Sequence, residues 1–183
     1  MKEDCKKFIE RCIHCISGFP SSVPRPFGES LHASKANEII HYDFLKINSK
    51  YILVIKDDLS HYVWLKITDS PTAEFTAKCL LEWYSFIGIP DIHVSDNGSH
   101  FKNKIISTLR KLMNTRHHFT HAYSPWTNGT VERVNREILT VLRALCSEFR
   151  VNYKEWELLV PVVNFVLNHS PLPWMVFRRL KLC

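Results

Sequence analysis

Residues 38–68 read EIIHYDFLKI, NS, KYILVIKD, DLS and HYVWLKIT. Three runs rich in β-branched and aromatic residues, separated by short breaks, predict an antiparallel meander. Working outward, Ala73, Phe75, Ala77, Leu80, Leu81, Tyr84 and Ile87 recur at helical spacing. They predict a helix over 71–87, with Ser70 as N-cap, Pro71 at the first position and Gly88 as terminator. A short strand is expected over 89–95, an amphipathic helix over 102–113 and another short strand over 116–121. YSPWTNG at 123–129 has loop chemistry. A long helix over 131–149 follows, with Val131, Val134, Ile138, Val141, Leu142 and Leu145 on one stripe, and a last helix over 154–168. Three adjacent strands followed by alternating helix and strand describe an α/β fold, a mixed five-stranded sheet flanked by helices.

The chain of 183 residues, 45% hydrophobic and 12% aromatic, is long enough for one domain with a real core and too short for a second full one. With 23% charged residues, 5 glycines and 9 prolines it is neither a disordered polyelectrolyte nor a glycine-rich fibre. Leu158–Leu167 is interrupted by Pro161 and Asn164. It falls far short of the roughly 20 apolar residues of a bilayer span, so no membrane protein is expected. The start, MKEDCKK, carries acids and no apolar h-region, so no export is expected either. In a reducing compartment the 6 cysteines suit burial or metal binding better than disulfides. Cys79 and Cys146 fall in apolar-periodic segments and read as core.

The net charge of +6 conceals a gradient. Residues 36–100 hold five basic against nine acidic side chains, and residues 101–183 thirteen against five. An acidic middle holds cations and a basic end holds polyanions, which suits a metal-dependent enzyme acting on nucleic acid. A basic, solvated helix face explains the same excess. Residues 19–37, with three prolines and four serines, read as a linker.

Three carboxylates occupy informative places. Asp43 lies inside the first strand between Tyr42 and Phe44, Asp96 ends the fourth strand before Asn97-Gly98, and Glu132 sits in the opening turns of the long helix. The 35 residues between Asp96 and Glu132 allow a helix, a strand and a loop, enough for the chain to return to the sheet's edge. Two carboxylates about 4 Å apart repel by roughly 4 kcal/mol at an effective dielectric of 20, a cost that a divalent cation removes. Oxygen ligands favour Mg²⁺ or Mn²⁺ over Zn²⁺. Taken singly, Asp96 also reads as a turn residue, Glu132 as a dipole-favoured acid near a helix start, and Asp43 as the partner of a buried Arg. Asp57 and Asp58 compete for the first position but read better as turn residues beside Ser60.

Together, Asp43, VSDNGSHF around Asp96 and YSPWTNGTVERVNRE around Glu132 resemble the D,D(35)E catalytic core of retroviral and long-terminal-repeat retrotransposon integrases, most like the gypsy-type elements. FIERCIHC resembles the end of that family's zinc domain, and WELLVPVVNFVLNHS its final core helix. The resemblance implies an RNase H-like fold and a polynucleotidyl transferase. Two Mg²⁺ or Mn²⁺ ions on Asp43, Asp96 and Glu132 would serve 3′-end processing and then strand transfer of retroelement DNA into target DNA, in line and without a covalent protein intermediate. Asn128, Asn135 and Arg136, at −4, +3 and +4 from Glu132, take the places that hold DNA ends and the active-site loop in the family. Arg133 and Arg143 read as phosphate contacts or as solvated surface. DNA and further copies of the chain are the partners implied, and the nucleus the site of action, with cytoplasmic element particles before entry.

The same resemblance divides the chain into a remnant of the zinc domain (1–18), the linker (19–37), the catalytic core (38–170) and a truncated or divergent tail (171–183). Trp126 stands where the family usually has a polar residue, and either stacks on a base or packs. Cys12 and Cys15 supply two of the four ligands of a structural zinc site, with Cys5 and His14 as substitutes at hand, so bound zinc is not expected. The chain reads as a fragment or a decayed element copy. A non-catalytic, nucleic-acid-binding or oligomerising remnant is the alternative to an active core, and an RNase H-type nuclease a third reading.

Overall fold

The computed structural model describes residues 31–120 and 125–169, and for 125–130 the backbone alone. The expected meander is present as β1 (Ile39–Ile47), β2 (Lys50–Asp57) and β3 (Val63–Thr68), all antiparallel. Then come α1 (Ala73–Phe86), β4 (Ile92–Ser95), α2 (Lys104–Leu112), β5 (Arg116–Phe119), α3 (Pro125–Glu148), a 3-10 segment (Tyr153–Leu159) and α4 (Val160–His169). The five-stranded sheet has the order β3-β2-β1-β4-β5, and β4 runs parallel to both β1 and β5.

Strand alternation decides what each face buries. Tyr42, Leu53 and Ile55 enter the layer of α1 and α2, where Leu80, Trp83, Ile106 and Leu109 meet them. Ile47, Ile52, Val54 and Leu65 enter the opposite layer, against Val134, Ile138 and Leu142 of α3 and Trp156 and Val163 beyond it. Each such fully buried side chain contributes about 1.5–3 kcal/mol relative to exposure. Cys79 and Cys146 are free, buried thiols within these two layers, and burial pushes Cys79 up to about 11.

Several boundaries differ from the sequence reading. The cap of α1 is Thr72, whose hydroxyl accepts from the Phe75 N–H at 3.2 Å, rather than Ser70. Pro71 therefore precedes the helix, while Gly88, at φ +113°, ends it as expected. β4 begins at Ile92 rather than 89, because Pro90 has no N–H to offer a ladder. α2 is two residues shorter at its start, since the Asn103 side chain caps Ile106 at 2.9 Å. α3 begins at Pro125, inside the stretch read as loop. Proline's fixed φ suits a first helical position, and this outweighs the Asn128-Gly129 turn signal at a cost of about 1 kcal/mol for a helical glycine. The last helix is split. Pro161 is tolerated only in the first turn of an α-helix, so α4 starts at Val160 and the preceding residues take the tighter 3-10 form.

Chain contacts set a boundary between residues 31 and 32, and the described residues beyond it belong to the second of two units. Within the second, residues 33–37 are tied to the sheet: the Ala33 N–H donates to Asp58, the Asn37 N–H to Asp57, and the Trp83 indole N–H to Asn37. At the far edge, α4 lies along β3. The Val63 and Leu65 N–H groups donate to the side-chain oxygens of Asn168 and Asn164 at 2.8 and 3.0 Å, and the Asn168 amide donates back to the Val63 carbonyl at 2.8 Å. Among the described residues no helix is long and apolar enough to cross a membrane.

Candidate active site

Because Tyr42 is committed to the α1/α2 layer, its neighbour Asp43 points to the α3 side. There Asp43 Oδ1 accepts from the Phe44 N–H at 2.8 Å and Oδ2 from the Asn135 amide of α3 at 3.1 Å. Burial and, less strongly, the charges of Asp96 and Glu132 push the Asp43 carboxyl up, the two hydrogen bonds pull it back, and the balance stands at about 6. Carboxylates from the end of β4 and from α3 therefore act on the one from β1, and among the described residues Asp43 has no arginine as a partner. Asp96 Oδ1 accepts from the Gly98 N–H at 2.9 Å, so the residue is an acid and a turn residue at once. A Cβ on Gly98 would lie 2.6 Å from the His100 ring and 3.0 Å from Asp96 Oδ1, so only glycine leaves this turn undisturbed. Glu132 is exposed on α3, between the buried Val131 and Val134 that seat the helix.

Among the described residues no three His, Cys, Asp or Glu side chains are gathered closely enough to hold a metal ion. The acids meet through their charges rather than in ligating geometry. Chemically the set fits a hard divalent cation. All three donors are carboxylate oxygens, the charges of Asp96 and Glu132 both act on Asp43, and among the described residues the Asn135 Oδ1 is a buried acceptor without a partner.

Asn135 is thus turned toward Asp43, whereas Arg133, Arg136 and Arg143 are exposed on α3. Asp57 accepts from the N–H and hydroxyl of Ser60, the turn role its sequence suggests. Asp58 serves differently, accepting from Ala33 at 2.9 Å and pairing with His41 at 3.2 Å. Burial pushes its carboxyl up, but these hydrogen bonds outweigh burial and hold it down at about 2. The side chains of Asn128 and Trp126, and the whole of Cys5, Cys12, His14 and Cys15, lie outside the described residues.

Behind the acids is a polar cluster that sequence reading missed. The His117 Nε2 shares hydrogen bonds with the Ser95 hydroxyl at 2.8 Å and the Tyr42 hydroxyl at 3.2 Å, and the His93 Nε2 with the Tyr84 hydroxyl at 3.2 Å. The signal was present in the neighbours Tyr42-Asp43 and Ser95-Asp96, but it becomes legible only when the register sets His93 opposite His117. His100, in the turn after Asp96, packs edge-on against Phe44 with ring centres 5.1 Å apart.

The integrase core domain family matches residues 33–125. The Gag-Pol polyprotein of feline leukemia virus is 32% identical over 176 residues, 92% of this chain and 10% of the polyprotein. The Pro-Pol polyprotein of simian foamy virus type 3 (strain LK3) is 31% identical over 179 residues, 94% of this chain and 15% of the polyprotein. The chain thus spans a small part of these relatives. Among solved structures, the simian T-cell lymphotropic virus intasome in complex with the PP2A regulatory subunit B56 gamma aligns at a TM-score of 0.72 and 20% identity, covering 94% of this chain and 62% of that one. The HTLV-2 integrase catalytic core domain in complex with magnesium, in trimeric form, aligns at 0.62 and 19%, covering 78% and 90%. The sheet order and flanking helices are those of integrase catalytic cores, an RNase H-like fold. By its sequence match across half its length and its similarity to these polyproteins, the chain belongs to the integrase core domain family.

Proposed function

We propose that the chain is a metal-dependent polynucleotidyl transferase of the integrase type, acting on retroelement DNA ends and target DNA. The observation that carries this reading is the convergence on Asp43. A carboxylate seated in a strand, pushed up to about 6 by burial and by two further acids from separate elements, is the arrangement a cation-dependent phosphoryl-transfer site requires. Asp43, Asp96 and Glu132 would hold Mg²⁺ or Mn²⁺, which when bound supplies charge neutralisation at the phosphate and activation of the attacking oxygen. The protein groups then have distinct tasks. Asn135 orients the Asp43 carboxylate, the turn at Gly98 fixes Asp96, and exposed Arg136 and Arg133 meet the phosphate backbone, with Asn128 on the same segment.

The family match, the magnesium named with the HTLV-2 core and the intasome named for the simian virus support the same choice of cofactor and DNA partner, and self-association with them. Action in the nucleus, after element particles in the cytoplasm, follows from that substrate, and the likeness to the family supports the division into 1–18, 19–37, 38–170 and 171–183, with residues 33–37 joined to the core. A strand-transfer assay on the purified chain with Mg²⁺ or Mn²⁺ tests the reading. Joined products that require the cation and vanish in Asp96→Asn are expected. Products that persist in Asp96→Asn would overturn the assignment of this acid. Cation-independent DNA binding without product would place the chain among non-catalytic remnants.

A further inference from the structure

We infer that His117 is a positioning residue that fixes Asp43 and Asp96 relative to one another by clamping the residue before each of them. This rests on the reading of the two acids as metal ligands. One imidazole nitrogen reaches both strands: the His117 Nε2 is 3.2 Å from the hydroxyl of Tyr42 in β1 and 2.8 Å from that of Ser95 in β4. Tyr42 and Ser95 immediately precede the two acids and belong to strands that run side by side in parallel. Side chains alternate across a sheet, so the groups clamped on the α1/α2 side set where the next residue's carboxylate emerges on the other.

The Ser95 arm is the tighter one. The Ser95 hydroxyl also donates to the Asp96 carbonyl at 2.9 Å, the Thr120 N–H donates to the Ser95 carbonyl at 2.8 Å, and the Asn97 amide donates to the Thr120 carbonyl at 3.0 Å. Asp96 is therefore enclosed by bonds to the end of β5 on both of its chain neighbours. The clamp has a firm base, since Tyr42 and Ser95 are fully buried and the His117 ring stacks on Phe119 with centres 3.9 Å apart. Burial holds the His117 imidazole down at about 3, so the ring is neutral and its nitrogen serves hydroxyl groups rather than a carboxylate.

The test is Mn²⁺ binding to the purified full chain, followed by electron paramagnetic resonance, a readout independent of turnover. His117→Phe keeps the stacked ring and removes the nitrogen, and Mn²⁺ affinity is expected to fall on the order of tenfold, as for other groups that orient metal ligands. His117→Gln returns a polar atom near the Nε2 position and is expected to recover most of the loss. Tyr42→Phe and Ser95→Ala each remove one arm and are expected to give intermediate losses, which keeps the test open if His117→Phe fails to fold. A role confined to folding would lower the melting temperature of these variants and leave Mn²⁺ affinity unchanged, and that outcome overturns the inference. Asp96→Asn separates the two levels. Lost Mn²⁺ binding there with unaltered binding in the His117 and arm variants sinks the clamp alone, whereas unaltered binding in Asp96→Asn sinks the reading of the acids and the clamp with it.

Discussion

Tyr42 and Asp43 are adjacent in β1, yet the layers they enter handle buried polarity in opposite ways. On the α1/α2 side, burial keeps Tyr42 and Tyr84 as phenols and, with the Arg110 charge beside them, pushes His93 and His117 down to about 3, so these four groups are neutral. Hydroxyls and imidazoles then meet through Nε2 contacts of 2.8–3.2 Å, which leave the buried Nδ1 atoms of His93 and His117 without a partner among the described residues. On the α3 side, Asp43 faces two further acids and has one amide and one N–H to compensate it. Neutral polar groups can close a network among themselves. Like-charged carboxylates cannot, and their repulsion is relieved by taking up a proton or by a cation. One side of the strand carries its buried polarity without charge, and the other concentrates charge that a bound cation can compensate.

This contrast can be broken first where it is steepest. Asp43→Asn, Asp96→Asn and Glu132→Gln should each reduce cation-dependent strand transfer to background, about a thousandfold or more, while circular dichroism stays native, because each removes a ligand charge rather than packing. On the uncharged side, the largest loss should be one of stability. Trp83 is fully buried, and Trp83→Ala should cost about 3–5 kcal/mol in denaturant unfolding.

Asp58 and Asp43 should differ in the sign of their pH dependence. Asp58 titrates near 2 when folded against 3.8 ordinarily, so the unfolded chain holds more protons between these values. Its stabilisation, about 2 kcal/mol, is full above pH 4 and is lost as pH falls toward 2, and Asp58→Asn should remove that slope from acid unfolding curves. For Asp43, which titrates near 6 when folded, it is the folded chain that holds more protons. Metal-free stability should therefore fall as pH rises from about 4 to about 6, and Asp43→Asn should flatten the slope and raise stability at pH 7 by up to about 2 kcal/mol. The smallest effect belongs to the surface. Arg136→Ala should reduce the slope of log DNA affinity against log salt by about one unit, and Arg133→Ala by less.

Most of this architecture was legible in the sequence, because its signals are local. The meander of 38–68 follows from alternation, and the helices from the spacing of residues such as Leu80 and Ile138. Asp43 was conspicuous as a charge inside a strand. What escaped depends on competition or on register. Thr72 and Ser70 are both chemically sound caps, and only the helix's actual start chooses between them. Pro125 opens a helix that Asn128-Gly129 argued against. The partnership of Asp43 with Asn135, 92 residues away, and that of Tyr42 with His117, 75 away, exist only after the strands have aligned.

The pairing of Asn164 and Asn168 with β3 bears on the protein's colloidal behaviour. An outer strand with open N–H and C=O groups is a template on which a foreign strand can add, and from there molecules string into insoluble aggregates. Two asparagines one helical turn apart present amides where the next strand's backbone would stand, so α4 plugs the end of the sheet with side chains. At the opposite outer strand, exposed Arg116 and His118 discourage the same addition by charge and solvation. Solubility of this basic, aromatic-rich chain is thus guarded at both margins of the sheet, and on the β3 side the guard is only as persistent as the docking of its last described helix.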